Sequence, residues 1–213
     1  MTIKSYLADS SLATTAEVTR LDADASTVRL SATLFHPQGG GQKADHGLIG
    51  TARVLDVRHA PDGEVDHFVD TIEGLAVGSE VALQVDPGKR QQHARYHSAG
   101  HLIADAMTLI DSGARAVQGH HWPGEARVEF ESTSIDAESV LARLQESVDG
   151  LILQDLPLQI CGDPMSSRAL KIGNFPAVGC GGTHVTSTAD LAQLTITRAR
   201  SRKGRLRVSY DFE

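Results

Sequence analysis

The sequence predicts an α+β protein in two parts, a β-rich part over residues 1–88 and a mixed α/β part over residues 89–213. Three observations carry that division. Short apolar runs that alternate in the strand manner, separated by turn signals, fill the first part. Asp86-Pro87-Gly88 then joins an N-cap residue to a proline suited to a first helical position. Beyond it the apolar period becomes helical, with Leu102, Ala106, Leu109 and Ile110 recurring on one face.

Taken in order, Val28 to Phe35 reads as a strand. Ala52–Val57 and Val65–Val69 read as a hairpin across Pro61-Asp62-Gly63, and Val81–Val85 as a further strand. Several short strands with regular turns fit a small barrel or a sandwich. Between the first two runs stands Gly39-Gly40-Gly41-Gln42, where three glycines let the backbone approach a neighbour closely. A helix follows from about Arg90 to Ile110, stopped by Asp111-Ser112-Gly113. A loop is expected around Gln118 to Gly124, then a strand over Ala126–Glu131 and a second helix from Ala137 to Val148 capped by Asp136. Leu156–Ile160 reads as a strand. The chain closes with a hairpin whose arms are Leu194–Arg200 and Arg205–Tyr210, turning at Lys203-Gly204.

Composition narrows the function classes. No apolar run in the 213 residues is long enough to span a bilayer, and Met1-Thr2-Ile3-Lys4-Ser5 lacks the pattern of a signal peptide, so a cytoplasmic protein is the expectation. Two cysteines, Cys161 and Cys180, are too few for a disulfide framework; Cys161 reads as a buried or incidental thiol. A net charge of −7 argues against non-specific nucleic-acid binding by the whole surface. A local basic face remains available in the last hairpin, which carries Arg198, Arg200, Arg202, Lys203, Arg205 and Arg207.

The chemistry concentrates in two stretches far apart in sequence. In Tyr96-His97-Ser98-Ala99-Gly100-His101 the two imidazoles stand at i and i+4 of the expected helix, so they share a face. In Gly179-Cys180-Gly181-Gly182-Thr183-His184-Val185 a thiol and an imidazole stand four residues apart on a glycine turn that can curl around an ion. Three imidazoles and one thiolate suit one zinc ion better than calcium or magnesium. Four protein ligands make a closed tetrahedral site, the structural type, whereas a hydrolytic zinc keeps a position open; the sequence leaves that choice open.

Together these two stretches resemble the editing domain of alanyl-tRNA synthetase and the free-standing alanyl-tRNA editing proteins (AlaX), and more distantly the threonyl-tRNA synthetase editing domain. The resemblance covers nearly the whole chain. Gly39-Gly40-Gly41-Gln42 is similar to the glycine motif of the family's N-terminal β domain, and Arg127-Val128-Glu129-Phe130 to the strand after its zinc helix. With no aminoacylation domain upstream, the free-standing form that keeps the β domain is expected. One departure is Gly100, where the synthetase usually has Thr.

The resemblance implies a β-barrel-like domain over residues 1–88, then an α/β editing domain over 89–213 with a zinc helix packed on an antiparallel sheet. It implies hydrolysis in trans of tRNA(Ala) mischarged with serine or glycine. His97, His101, Cys180 and His184 would hold zinc, and Gln118 and Thr183 would act at the reacting group. Gly39, Gly40, Gly41 and Gln42 would line the substrate, and Arg200, Arg202, Lys203 and Arg205 would meet tRNA phosphates. Plainer readings stand beside these. Gly39–Gly41 fits a tight β turn, and Gln118 an ordinary loop position. His120, His121 and Trp122 fit a surface loop or packing, with Trp122 also able to stack on a base; His36 and His46 read as incidental. The basic hairpin fits a solvated edge that discourages strand pairing. Two other functions compete: a zinc-stabilised RNA-binding module without catalysis, and a hydrolase acting on another small ester.

Overall fold

A computed structural model describes residues 1–131, 137–202 and 204–213, the side chains of Glu138 and Arg202 excepted. The chain is α+β and divides into two compact units, one of residues 1–39 and 43–92, the other of residues 40–42 and 93–213. The tripeptide Gly40-Gly41-Gln42 therefore counts with the second unit, although its neighbours in sequence belong to the first.

The first unit holds strands β1 (Ile3–Lys4), β2 (Ala13–Asp22), β3 (Thr27–Leu30), β4 (Ala32–Thr33), β5 (Gly47–Ile49), β6 (Ala52–His59), β7 (Val65–Val69) and β8 (Glu80–Val85). Of the two β architectures the turns allowed, the structure is a closed barrel in the order β2-β3-β7-β6-β5-β8, with β8 pairing back onto β2. Its interior is the alternate set Ala16, Val18, Val28, Leu30, Ala52, Val54, Val65, Val69, Leu83 and Val85. A register shift between Val54 and Asp56 resets the period of β6, so that Val57 rather than Asp56 faces inward. The expected continuous strand from Val28 to Phe35 is instead broken at Ser31, whose carbonyl accepts from Ile3, and Ala32–Thr33 leaves the barrel to pair in parallel with β1.

Helix α1 (Pro87–Ile110) starts at the expected boundary. The Asp86 carboxylate accepts from the Lys89 backbone N–H at 2.9 Å, as an N-cap should. Arg90, in its first turns, donates to the buried Asp45 carboxylate at 2.5 Å and to the Leu34 carbonyl at 2.6 Å. Asp45 also accepts from the His36 backbone at 2.7 Å. An ion pair this deep fixes the start of the helix because either partner left alone would be a buried bare charge.

In the second unit α1 continues from His93. There follow β9 (Arg115–His120), β10 (Arg127–Glu131), α2 (Ala137–Leu153), β11 (Leu158–Cys161), β12 (Ala169–Ile172), β13 (Val178–Gly179), β14 (Leu194–Arg202) and β15 (Arg205–Phe212). A four-stranded antiparallel sheet has the order β14-β15-β10-β9, and a three-stranded one the order β11-β12-β13. One core joins Ala99, Leu102, Ile103, Ala106 and Met107 of α1 to Val140, Leu144 and Val148 of α2, and to Val128, Phe130, Ile196, Leu206, Val208 and Tyr210 of the larger sheet. Gln145 of α2 fastens β14 by accepting from Ile196 N–H at 2.7 Å and donating to the Leu194 carbonyl at 3.0 Å.

Several expectations need correction. Leu109, counted with the apolar face of α1, is exposed; Ile103 and Met107 take that place. The expected loop at Gln118 is strand β9, paired with β10 so that Gln118 faces Glu129. Helix α2 runs past Val148 to Leu153, tolerating Gly150. The strand placed at Leu156–Ile160 begins two residues later. β12 and β13 lie where no strand is expected. Cys161, read as buried or incidental, is a half-buried free thiol on β11. The Asp136 cap lies outside the described residues. Among the described residues no helix is long and apolar enough to cross a membrane.

Candidate metal centre

The two histidine–cysteine stretches converge. His97 and His101 lie one turn apart on α1 with rings stacked at 5.2 Å. Cys180 follows β13 directly, and its N–H extends that strand's pairing by donating to the Arg168 carbonyl at 3.1 Å. The Arg168 guanidinium returns a bond to the Cys180 carbonyl at 2.5 Å, so the turn is clamped from both sides. Cys180 Sγ then stands 3.2 Å from His97 Nε2, 3.3 Å from His101 Nε2 and 3.3 Å from His184 Nε2. All four donor atoms fall within 4.8 Å of one another, and the cluster can hold a metal ion. A tetrahedral ion with a Zn–S bond of about 2.3 Å and Zn–N bonds of about 2.0–2.1 Å would set S···N separations of about 3.5 Å, so the donor set fits with little adjustment.

The surroundings favour a neutral imidazole at His101, ready to ligate. Burial pushes His101 down to about 4. Burial pushes the Cys180 thiol up, against the Gly182 N–H bond and the Arg168 charge, which lower it. A cation would offset that cost by supplying the charge the thiolate lacks, and binding would release the thiol proton. The ring orientations are set from behind. Ser98, on α1 between the two histidines, places its hydroxyl 3.3 Å from His184 Nδ1 while accepting from Val185 N–H at 3.1 Å. With an ion held at Nε2, Nδ1 of His184 would carry the proton and donate to Ser98.

Glycine is needed at one point of the cysteine turn. A Cβ on Gly182 would overlap the His97 ring and come 2.9 Å from Gln42 Oε1, whereas one on Gly179 or Gly181 would meet nothing. Gln42 is fully buried and paired twice with Thr183: its Nε2 donates to Thr183 Oγ1 at 2.9 Å, and its Oε1 accepts from Thr183 N–H at 3.0 Å. The Thr183 hydroxyl thus accepts one bond and keeps its own proton to give. Gly40 approaches the His97 ring, a Cβ there standing 3.8 Å from it, while Gly39 counts with the first unit, beside His59.

The remaining residues lie outside the cluster. Gln118 is exposed on β9. Arg200 and Arg205 are exposed on the last hairpin, where Arg205 lies 3.6 Å from Glu129 and Arg207 lies 2.7 Å from it. Lys203 and the Arg202 side chain fall outside the described residues. His36 packs edge-on to Tyr6 in the first unit.

Beside the cluster is a residue the sequence reading left as loop or packing. His121 is buried and its ring lies 4.8 Å from that of His97. Its Nδ1 is 2.6 Å from the Tyr210 hydroxyl, which donates to the Tyr96 carbonyl at 2.8 Å. Burial first, then the neighbouring His101 and His120, pushes it down to about 3, so it is neutral. A Cβ on Gly100 or on Gly119 would overlap this ring, and one on Gly41 would come within 2.9 Å of it. Gly100, the position noted as a departure, is thus coupled to His121. The signal in sequence was the conjunction of Gly41, Gly100 and Gly119 with a bulky residue at 121, visible only once the fold brings them together.

No protein-family model matches the chain. It is similar to alanine–tRNA ligases over about four-fifths of its length. With that of Parafrankia sp. (strain EAN1pec) it shares 31% identity over 193 residues, 79% of this chain and 22% of the relative. With that of Lactococcus lactis subsp. lactis (strain IL1403) the identity is 29% over 192 residues, 78% of this chain and 22% of the relative. With that of Lactobacillus johnsonii it is 30% over 211 residues, 84% of this chain and 23% of the relative. The chain thus spans under a quarter of the length of these curated relatives.

Proposed function

We propose that the chain is a zinc-dependent deacylase that removes serine or glycine from mischarged tRNA(Ala) in trans, in the cytoplasm. The observation that carries this reading is the meeting of His97, His101, Cys180 and His184 at one point, since these are the residues on which the resemblance to alanyl-tRNA editing domains rests. The similarity to alanine–tRNA ligases over 79% of the chain supports the same substrate.

In this reading residues 1–88 form a β domain and 89–213 the deacylase. His97, His101, Cys180 and His184 would hold zinc, which would supply Lewis-acid charge to orient the 3′-terminal adenosine or to polarise a water. Water adds to the ester carbonyl, the bond to the ribose oxygen breaks, and that oxygen takes up a proton, giving free amino acid and tRNA. Thr183, with its acceptor side occupied by Gln42, donates its hydroxyl proton to the substrate. Gln118 contacts the aminoacyl group or the water. Gly40, Gly41 and Gln42 bring backbone close to the bound ester.

Arg200, Arg202, Lys203 and Arg205 meet phosphates. The pairing of the last hairpin sets Arg200 opposite Arg207 and Arg202 opposite Arg205. Arg205 and Arg207 share Glu129, whereas Arg200 is exposed and available to a phosphate. Selection for such an activity is physically reasonable. A synthetic site for alanine gains only about 1–3 kcal/mol over glycine from one methyl group and excludes serine's added hydroxyl weakly, so a second, hydrolytic site raises fidelity.

The test is incubation of zinc-loaded protein with Ser-, Gly- and Ala-tRNA(Ala), with and without chelator. Chelator-sensitive release of serine or glycine, with Ala-tRNA(Ala) spared, is expected. A second reading, a non-catalytic zinc-stabilised RNA-binding module, is favoured by the count of four protein donors, which leaves a tetrahedral ion no open position. Multiple-turnover deacylation eliminates it; tight, salt-sensitive tRNA binding without turnover would establish it.

A further inference from the structure

His121 fills a space shaped around its ring. Three glycines from separate segments, Gly41, Gly100 and Gly119, vacate the volume its ring fills. The residue is 6% exposed. Since the Tyr210 hydroxyl spends its proton on the Tyr96 carbonyl, it receives one from His121 Nδ1, and this fixes the tautomer. Nε2 is then a lone-pair acceptor, and among the described residues it makes no hydrogen bond. Nor is Nε2 among the buried atoms sealed from solvent without a partner. An open acceptor in a buried ring, 4.8 Å from the ring of a metal ligand, is a site for a donor.

We propose that His121 is the specificity-determining residue of the site, its Nε2 accepting the side-chain hydroxyl of a seryl group and so favouring serine over glycine and alanine. The inference rests on the deacylase reading. Two donors distinguish an aminoacyl ester near the site, the α-ammonium and, in serine alone, the hydroxyl. A dication held by His97 would repel the ammonium from the adjoining ring, whereas a neutral hydroxyl carries no such cost. A desolvated acceptor left empty by glycine or alanine is itself a penalty on those substrates.

The test uses zinc-loaded wild type, His121→Asn and His121→Gln, with zinc content measured in each. Asparagine keeps an N–H at the place of Nδ1, facing Tyr210, and deletes Nε2; glutamine reaches the place of Nε2 with its carbonyl oxygen. The readouts are kcat/KM on Ser-tRNA(Ala) and Gly-tRNA(Ala), and the affinities of non-hydrolysable amide-linked seryl- and glycyl-adenosine. Wild type should prefer serine in both. His121→Asn should lower the serine-to-glycine ratio at least tenfold, and His121→Gln should restore part of it. A ratio unmoved by His121→Asn, whether or not both rates fall, overturns the assignment and leaves deacylation standing. A wild type that cleaves neither ester removes the deacylase reading, and this inference with it.

Discussion

Ser98 shows how much of the cluster is arranged by side chains that are not themselves donors to an ion. Its hydroxyl is the common point of His184 Nδ1 and Val185 N–H, so it sets the tilt of that ring toward the cluster. Ser98→Ala should weaken zinc binding by about 10–100-fold, measured by competition with a chromophoric chelator, with little change in fold. His67 makes the corresponding case in the barrel. It is fully buried between Thr33 Oγ1 at 2.8 Å and the Val28 carbonyl at 3.0 Å, and burial lowers it to about 4. In the unfolded chain an imidazole titrates near 6.5, so as pH falls the unfolded state takes up the proton first. Its contribution is complete above about pH 6.5 and declines from there towards 4, a loss of about 2 kcal/mol between pH 6.5 and 5. Urea denaturation at pH 7 and pH 5 should show that loss in wild type and a flatter dependence in His67→Gln. Equal slopes would mean that other groups set the acid sensitivity. The four residues of the cluster were legible in the sequence because Cys and His at spacing four are few and chemically distinct. Ser98, Arg168 and His121 were not, since serine, arginine and a lone histidine each have many ordinary uses.

Elements were legible where their period was clean. Asp86-Pro87 announced α1 through capping chemistry that depends on neighbours in sequence, and the bond from Lys89 N–H to Asp86 shows that chemistry in place. β9 escaped because it is an edge strand with exposed residues on both faces from Arg115 to Gln118, leaving no apolar alternation to read. β12 and β13 escaped because they are short. The glycine motif is the element whose meaning the fold most enlarged. Its last residue, Gln42, joins Thr183 across 141 positions through two buried hydrogen bonds. Gln42→Ala should strand the Thr183 N–H and destabilise the cysteine turn by about 1–3 kcal/mol. Thermal melts should fall accordingly. A melt unchanged in Gln42→Ala would show that the pair does not tie the motif to the turn.

At the scale of the molecule, the α+β class was readable from the change of apolar period near residue 88, but the choice of a barrel over a sandwich was not. Closure depends on β8 returning to β2, a pairing of Ala13–Glu17 with Glu80–Gln84 that no local signal encodes. The bulge in β6 shifts the inward face in a way sequence alternation cannot show. The same holds for the site, where positions near 42, 97, 121 and 183 meet although nothing in their spacing says so. The proposed function rests on that meeting, and the measurement that tests it most directly is deacylation of Ser-tRNA(Ala) and Gly-tRNA(Ala) by zinc-loaded protein, repeated after chelation and with Cys180→Ala. The account predicts multiple-turnover release of amino acid that chelator or loss of the thiolate abolishes, with Ala-tRNA(Ala) spared. Zinc-loaded, folded protein that leaves every ester at its rate in buffer would contradict it.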